Sequence, residues 1–380
     1  MKKIWYAPNK FESYGQEEID AVTQCLQDGW LAGFGPRSVE FEEKISETFG
    51  KKYGVFVNSG SSACLLALAS LQLDKGTKVL TPACTFSTTV APIIQLGLEP
   101  VFCDVGLTSY VPSVEEIIKY ITDEIKVLML PNLIGNKPNW KEIKNELLKI
   151  GRSDIILIED SADTITHTTE SDISTTSFYA SHVITAGGSG GMVMFNDEKL
   201  RNVCLSFRDW GRIGDNSETM YDRFNHLVDG IPYDHKFLYG VLGYNMKSSE
   251  MNAAFGLVQL KRFTNFAKIR RDNIERYLDN LSDCNDILLP DDTIQPNWLA
   301  IPLQTSRRYE LLNYLENNNI QTRVTFAGNV TRHPIYRQYL KDYTNSDSIM
   351  KNGFLLGAHH GMTIEDVDLV CDTIKEFFNN

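Results

Sequence analysis

The chain has 380 residues, of which 42% are hydrophobic and 23% charged, and its formal net charge is −12. This composition is typical of a globular protein, and the length suits two domains or one large domain with an appendage. The acidic balance argues against binding to nucleic acid or to an anionic membrane surface.

The N-terminus and the cysteines bear on cellular location. The first ten residues hold two lysines but no apolar run long enough for a signal peptide, and no later segment approaches a membrane span. The seven cysteines are scattered and contain no CxxC pair, which favours reduced thiols over disulfides or a zinc site. We therefore expect a cytoplasmic protein without a bound metal.

Short apolar runs alternate with helix-like stretches through the first half of the chain. The strand-like runs are 53–57, 78–81, 100–103, 126–130 and 154–158. This alternation predicts βαβ units and a mainly parallel sheet, with functional loops at the carboxyl ends of the strands. The predicted fold class is α/β.

A segment of small residues, 59–63, follows the first predicted strand and opens an apolar, helix-like stretch. Free backbone N–H groups at the start of a helix can bind a phosphate. A capped helix start without a ligand explains this segment equally well when it is considered alone.

Two candidate chemical groups follow in the chain. Asp160 directly follows the strand-like run 154–158, where an aspartate can pair with a protonated pyridine nitrogen or simply cap a helix. His182 precedes a cluster of four glycines at positions 187–191. An imidazole can transfer protons near neutral pH because its unperturbed pKa lies near 6.5.

From residue 248 to about residue 280 the pattern is helical, with apolar residues spaced three and four apart. The remainder contains strand-like runs at 298–303 and 322–326 and helix-like runs at 309–317 and 365–378. We predict a large domain over residues 1–250 and a small α+β domain over residues 251–380 that begins with a bridging helix.

Several segments occur together in one order, namely 59–63, 82–89, 131–136, 159–160, 177–191 and 242–245. In this order the chain resembles, over nearly its whole length, the fold-type I sugar aminotransferases that use pyridoxal phosphate (PLP) and their dehydratase relatives. Within that group, His182 and the segments 206–212, 233–236 and 326–329 most resemble the nucleotide-linked 4-keto-6-deoxyhexose 3-dehydratases. The resemblance implies a fold-type I PLP transferase in deoxysugar biosynthesis, such as that of lipopolysaccharide.

The resemblance also implies which residues hold the cofactor: Gly60, Ser61, Ser62, Phe86, Asp160, Asp163, Ser177 and Asn245. Asp160 would face the ring nitrogen, and Phe86 would stack on the ring unless it simply packs in the core. Asn245 would reach the cofactor of a neighbouring subunit in a homodimer with shared active sites, or would be a plain turn residue.

At the position of His182 the aminotransferases carry the lysine that bonds covalently to PLP. Because an imidazole cannot form that bond, the resemblance implies dehydration with pyridoxamine phosphate (PMP), in which His182 removes a proton from the cofactor and helps to expel the C3 hydroxyl of the sugar. Tyr179 is a second catalytic candidate, with a purely structural phenol as the alternative.

One branch of these dehydratases binds a [2Fe–2S] cluster through four cysteines. One of those cysteines precedes the pyridine aspartate, where this chain has Glu159, and residues 213–220, where the others would follow, contain none. We therefore expect no iron–sulfur cluster, and L-glutamate as the amino and electron donor. Asp163 and Thr166 also stand where aminotransferase relatives often carry Gln and Gly.

The predicted substrate is a nucleotide-linked 4-keto-6-deoxy sugar, for which the candidate contacts are Ser87, Arg323, Asn329, His333 and His360. The basic residues Arg208, Arg212, Lys236 and Arg332 are either anion contacts or solvated surface charges. The tandem histidines His359 and His360 lack the neighbouring acids or cysteines of a metal site.

Two other functions are compatible with the sequence. One is an aminotransferase that tolerates His182, which would release an amino sugar. The other is a catalytically inactive PLP-fold protein that binds a sugar nucleotide, for which failure to bind PLP or PMP would be the evidence.

Overall fold

The computed structural model describes residues 2–8, 12–214, 219–291 and 298–379. Its strands are β1 (Tyr53–Val57), β2 (Lys78–Pro82), β3 (Glu99–Cys103), β4 (Ile125–Pro131), β5 (Ile156–Ser161), β6 (Ile173–Ser177), β7 (Gly191–Phe195), β8 (Leu227–Val228), β9 (Ile231–Pro232), β10 (Ala300–Gln304), β11 (Thr322–Val324) and β12 (Gly353–Gly357). Its α-helices are α1 (Gln16–Asp28), α2 (Pro36–Phe49), α3 (Gly60–Ala69), α4 (Ser87–Gln95), α5 (Val114–Ile118), α6 (Trp140–Lys149), α7 (Glu198–Arg208), α8 (Met220–Arg223), α9 (Glu250–Leu281), α10 (Arg308–Asn317), α11 (Thr344–Asn352) and α12 (Ile364–Asn379).

A seven-stranded sheet forms the centre of the larger part of the molecule, in the order β1-β7-β6-β5-β4-β2-β3. The strands β3, β2, β4, β5 and β6 run parallel, whereas β7 is antiparallel to both of its neighbours. The predicted α/β class and mainly parallel sheet are therefore confirmed. Because the parallel strands end at one edge, the loops after β1, β2, β5 and β6 come together there.

Sequence periodicity missed β6 and β7. The sequence of β6 is mostly serine and threonine, although all five of its residues are buried. Its polar side chains have internal partners: Ser174 Oγ donates to Glu159 Oε2 at 2.7 Å, and Thr176 Oγ1 donates to the carbonyl of Ser161 at 2.9 Å. Hydrogen bonding inside the protein allows this polar strand to be buried.

The helix α9 has 32 residues and begins with a capping box in which Ser249 and Asn252 bond reciprocally. Beyond it, β10, β12 and β11 form an antiparallel three-stranded sheet. The division into domains at residue 250 stays a proposal. Within the described ranges, no helix is long and apolar enough to cross a membrane.

Candidate active site

A cavity of about 450 Å³ lies at the carboxyl edge of the large sheet. Tyr6, Leu299 and Phe326 contribute to its wall from outside that sheet. Nine residues predicted from the sequence line it: Gly60, Ser61, Phe86, Asp160, Asp163, Ser177, Tyr179, His182 and Arg323. The chain thus brings most of the predicted cofactor residues and both catalytic candidates together.

Several predicted contacts lie outside the cavity lining, and the hydrogen bonds of their side chains explain why. Asn329 is fully buried, donates to Asp347 and accepts from Thr331, and its substrate role stays a prediction. The hydroxyl of Ser62 donates to Asn58 Oδ1 and its N–H donates to Ser59 Oγ. The phosphate contact assigned to Ser62 also stays a prediction.

The remaining predicted substrate contacts are also outside the lining. Ser87 Oγ lies 2.7 Å from the hydroxyl of Tyr336, and His333 Nε2 lies 2.9 Å from the carbonyl of Ala327. His360 stacks on Phe266, with 3.8 Å between ring centroids. These side chains are engaged in packing and hydrogen bonding, and their roles as substrate contacts stay predictions.

Tyr6 and Thr89 also line the cavity, although neither was predicted as a site residue. Ser59, in the predicted phosphate-binding segment, caps α3. Thr89 lies in the first turn of α4, three residues after the N-cap residue Phe86, and both line the cavity. Helical spacing from Phe86 could have identified Thr89. No local sequence pattern predicts Tyr6 as a site residue. It reaches the cavity because the backbone two residues earlier, at Ile4, forms a β-bridge with Ile320.

A phosphate cradle forms where α3 begins beside β6. The first backbone N–H groups of a helix have no partner within the helix and carry partial positive charge. The lining residues Ser59, Gly60, Ser61 and Ser177 surround this helix start. A Cβ atom on Gly60 would lie 2.5 Å from Cβ of Ser177, so the close approach of helix and strand requires glycine.

We expect Gly60→Ala to weaken PLP binding about tenfold, because the new methyl group displaces Ser177 and one hydrogen bond to a charged phosphate is lost. Equilibrium titration of PLP absorbance measures the change. Gly15→Ala is the matched control, since its nearest side-chain atom is 3.8 Å away. Equal affinity of the Gly60 variant and the wild type would refute the cradle.

Asp160 provides a buried carboxylate in the cavity. Its Oδ2 accepts a hydrogen bond from Thr89 Oγ1 at 2.7 Å, and its Oδ1 accepts one from the N–H of Ala162 at 3.3 Å. Burial raises the pKa of Asp160, since these neutral donors do not supply the positive charge that a buried carboxylate needs. A protonated pyridine nitrogen would supply that charge, so the residue fits the predicted cofactor.

Phe86 lies at the cavity mouth with 52% of its surface exposed. Its ring packs edge-on against Phe326, with 6.0 Å between centroids. Simple core packing does not account for a half-exposed aromatic ring, and this exposure leaves Phe86 accessible to a flat ring that stacks on it.

The ring of His182 is largely buried, and burial together with the charge of Arg270 lowers its pKa to about 4. This pKa is lower than the unperturbed value near 6.5 that the sequence alone predicts. A lowered pKa means that His182 is neutral at pH 7 and can accept a proton without first losing one. Tyr179 is 59% exposed, and its ring centroid lies 6.3 Å from that of His182.

Glu159, which stands where the cluster-binding branch has a cysteine, is fully buried in a polar network. Its carboxylate accepts hydrogen bonds of 2.7 Å from Asn132, Thr168 and Ser174. Residues 215–218 of the second cysteine-free segment lie outside the described residues. In the part of the chain that the structure describes, no three His, Cys, Asp or Glu side chains could hold a metal ion.

The fold and the cavity agree with the comparison against family models. The model described as "DegT/DnrJ/EryC1/StrS aminotransferase family" matches residues 12–375. The chain belongs to this family. Members depend on PLP, and the phosphate cradle, Phe86 and Asp160 are the residues of this DegT/DnrJ/EryC1/StrS protein that would hold it.

Two relatives match nearly the whole chain. "Lipopolysaccharide biosynthesis protein RfbH" of Salmonella typhimurium is 36% identical, with 96% of this chain and 90% of that protein covered. "dTDP-4-dehydro-2,6-dideoxy-D-glucose 3-dehydratase" of Saccharopolyspora spinosa is also 36% identical, with 95% of this chain and 84% of that protein covered. This family member is thus similar to a lipopolysaccharide biosynthesis protein and to a nucleotide-sugar 3-dehydratase.

The fold of this chain is also similar to that of a solved structure. GDP-4-keto-6-deoxymannose-3-dehydratase with a trapped PLP-glutamate geminal diamine is 25% identical, with a TM-score of 0.85 and coverage of 98% of this chain and 100% of that chain. The predicted fold-type I architecture is confirmed by this likeness. The DegT/DnrJ/EryC1/StrS protein is therefore a PLP-dependent enzyme of nucleotide-sugar modification.

Proposed function

We propose that the protein is a PMP-dependent dehydratase that removes the C3 hydroxyl of a nucleotide-linked 4-keto-6-deoxy sugar. The observation that carries this proposal is the presence of His182 in the cavity together with the absence of lysine from its described lining. A PLP aminotransferase normally depends on a lysine both to hold the cofactor and to move the proton. A cavity with an imidazole in place of that lysine favours a reaction that needs proton transfer without covalent attachment.

Bound PMP would supply an amino group for the sugar ketone and an electron-withdrawing ring. Asp160 would keep the ring nitrogen protonated, while α3 and Ser177 would hold the phosphate. Neutral His182 would accept a proton at Nε2 and then pass it to the C3 hydroxyl, which leaves as water. Tyr179, whose ring centroid lies 6.3 Å from that of His182, would assist as a phenol.

L-Glutamate is proposed as the donor that converts PLP to PMP. Support comes from the related 3-dehydratase structure, in which glutamate is bound to PLP, and from the missing cluster cysteines in the sequence. Arg323 is the one Lys or Arg among the described lining residues. Its guanidinium suits a carboxylate or a diphosphate of either substrate.

A homodimer with shared active sites is part of the proposal. Asn245 is exposed and lies outside the cavity lining of its own chain. Near it, Trp210 and Leu242 are exposed, the latter by 95%. Covering these apolar side chains with a second copy would remove them from water and would bring Asn245 to the partner's cofactor. Location in the cytoplasm belongs to the same proposal.

A sugar aminotransferase is the second candidate, and the description of the family model favours it. Product mass distinguishes the two activities. We expect the protein, given PLP, L-glutamate and a panel of GDP-, CDP- and dTDP-linked 4-keto-6-deoxy sugars, to form a product that lacks the C3 oxygen. An amino-sugar product from every accepted substrate would support the second candidate instead.

A further inference from the structure

The cavity contains a second carboxylate, that of Asp163, which lies beside His182, the proposed base. Its Oδ1 lies 3.9 Å from Nδ1 of His182, and their side chains are 11% and 16% exposed. At this separation the two atoms are not hydrogen-bonded, and an approach of about 1 Å would make them so. Both residues line the same cavity, so a small rearrangement there can close the contact.

The other oxygen of Asp163 is already fixed. Oδ2 accepts a hydrogen bond of 2.7 Å from the N–H of Ile134, which has φ of 60°. A β-branched residue rarely adopts this left-handed conformation, and such positions are often found at functional sites. The carbonyl of Ile134 accepts a hydrogen bond of 2.8 Å from Leu299 N–H, which ties the turn to the segment before β10. With Oδ2 anchored, Oδ1 is the oxygen that remains for His182.

Nδ1 of His182 is buried and has no hydrogen-bond partner within the described residues. Buried polar atoms in proteins are nearly always paired, so an unpaired one needs a functional explanation. An imidazole that accepts a proton at one nitrogen carries a hydrogen on both. Nδ1 then requires an acceptor, and the free oxygen of Asp163 is placed to become one.

We propose that Asp163 is a positioning residue that shares a proton with His182 and sets its tautomer. Asp163 Oδ1 accepts the Nδ1 hydrogen, which leaves Nε2 unprotonated toward the cavity. When Nε2 takes up a proton, the resulting imidazolium is balanced by the carboxylate. When that proton leaves with the C3 hydroxyl as water, the pair returns to its starting state. This inference rests on the proposed dehydration.

The surroundings of the pair determine its dependence on pH. Burial raises the pKa of Asp163 to about 7, so its carboxylate forms only as pH rises through that value. The charged or titratable groups that face the pair or neighbour it are Tyr6, Asp160, Tyr179, Arg270 and Arg323. We expect dehydration by the wild type to increase with pH through about 7, because the working form has Asp163 ionised and His182 neutral.

The direct test is nuclear magnetic resonance of the cofactor-free protein with ¹⁵N-labelled histidine. We expect the His182 ring of the wild type to carry its hydrogen on Nδ1 above pH 7 and to show a transition near pH 7 when Asp163 ionises. In Asp163→Asn the amide can still accept from Ile134 but presents N–H to the imidazole, so the hydrogen moves to Nε2 and the transition disappears. A His182→Asn sample identifies the signal.

Asp104→Asn is the matched control. Asp104 also accepts backbone and side-chain hydrogen bonds, from Asn345 and Ser346, but it lies outside the cavity lining. The control should keep the wild-type titration of His182. The proposal is overturned if Asp163→Asn shows the same tautomer and titration as the wild type.

Kinetics provide a second readout. We expect Asp163→Asn, saturated with PMP, to lower kcat for dehydration on the order of 100-fold and to lose the fall in rate below about pH 7. Unchanged kcat and pH profile in a variant of a dehydrating enzyme would refute the role of Asp163 alone. Failure of the wild type to dehydrate any substrate would instead refute the proposed function, and the tautomer measurement would still decide the pairing.

Discussion

Replacing His182 by asparagine lowers the rate of C3 dehydration on the order of 10³-fold, because the cavity then lacks a group that can accept and return a proton. Cofactor binding should change little, since the phosphate cradle, Phe86 and Asp160 are untouched. The measurement is single-turnover product formation by enzyme loaded with PMP, together with titration of PMP binding.

Tyr179→Phe is the control for this result. Its side chain is more than half exposed and its ring lies 6.3 Å from that of His182, so we expect a loss of less than about tenfold. Comparable losses in the two variants would move the central role away from the imidazole. Dehydration by the His182→Asn variant at the wild-type rate would remove His182 from the mechanism.

His182→Lys tests the same position by introducing the lysine that the aminotransferases carry there. A lysine here should bond covalently to PLP, which shifts the absorbance of the bound cofactor and resists dialysis, and dehydration should be lost. Reduction with borohydride followed by peptide mass spectrometry locates the bond. Retained dehydration by a covalently modified variant would contradict the role given to His182.

The second large effect is expected for Asp160→Asn, which removes the buried charge that would hold the ring nitrogen protonated. Charge-assisted hydrogen bonds contribute about 1.5–3 kcal/mol, so we expect PLP to bind on the order of 100-fold more weakly. Dehydration by the saturated variant should fall as well, because an unprotonated ring is a poorer electron acceptor.

Thr89→Val is a milder change at the same site, and its effect on PLP binding is compared with that of Asp160→Asn. It removes only the 2.7 Å hydrogen bond to Oδ2 and should weaken PLP binding less than tenfold, in keeping with a single neutral donor. Equilibrium titration of all three proteins gives the order of affinities. Wild-type affinity in Asp160→Asn would show that the carboxylate does not face the ring.

The sequence predicted the parts of the fold that follow from periodicity and strand ends. Apolar runs identified the five strands β1 to β5, and the rule that parallel strands end at one edge placed Asp160 at a functional edge. The strand β6 was missed because its residues are polar and are buried only through hydrogen bonds to β5. The local sequence of a strand does not indicate that its polar side chains have hydrogen-bond partners on a neighbouring strand.

The site was predicted in part, for a related reason. His182 and Phe86 were found through their chain neighbours, whereas Tyr6 joins the cavity only because Ile4 bridges to Ile320. Asn329 appeared suited to substrate binding, but its amide is used to cap a turn and to bond Asp347. The lowered pKa of His182 depends on burial and on Arg270, which is 88 residues away in the chain, so it follows only from the tertiary structure.

The fate of nitrogen from [¹⁵N]glutamate tests the central claim most directly. The wild-type protein is incubated with PLP, the labelled amino acid and an accepted 4-keto-6-deoxy sugar nucleotide, and both ammonia and the sugar product are analysed by mass spectrometry. Dehydration assisted by His182 predicts labelled ammonia and an unlabelled sugar that lacks its C3 oxygen. A sugar that keeps this oxygen and carries ¹⁵N would contradict the account.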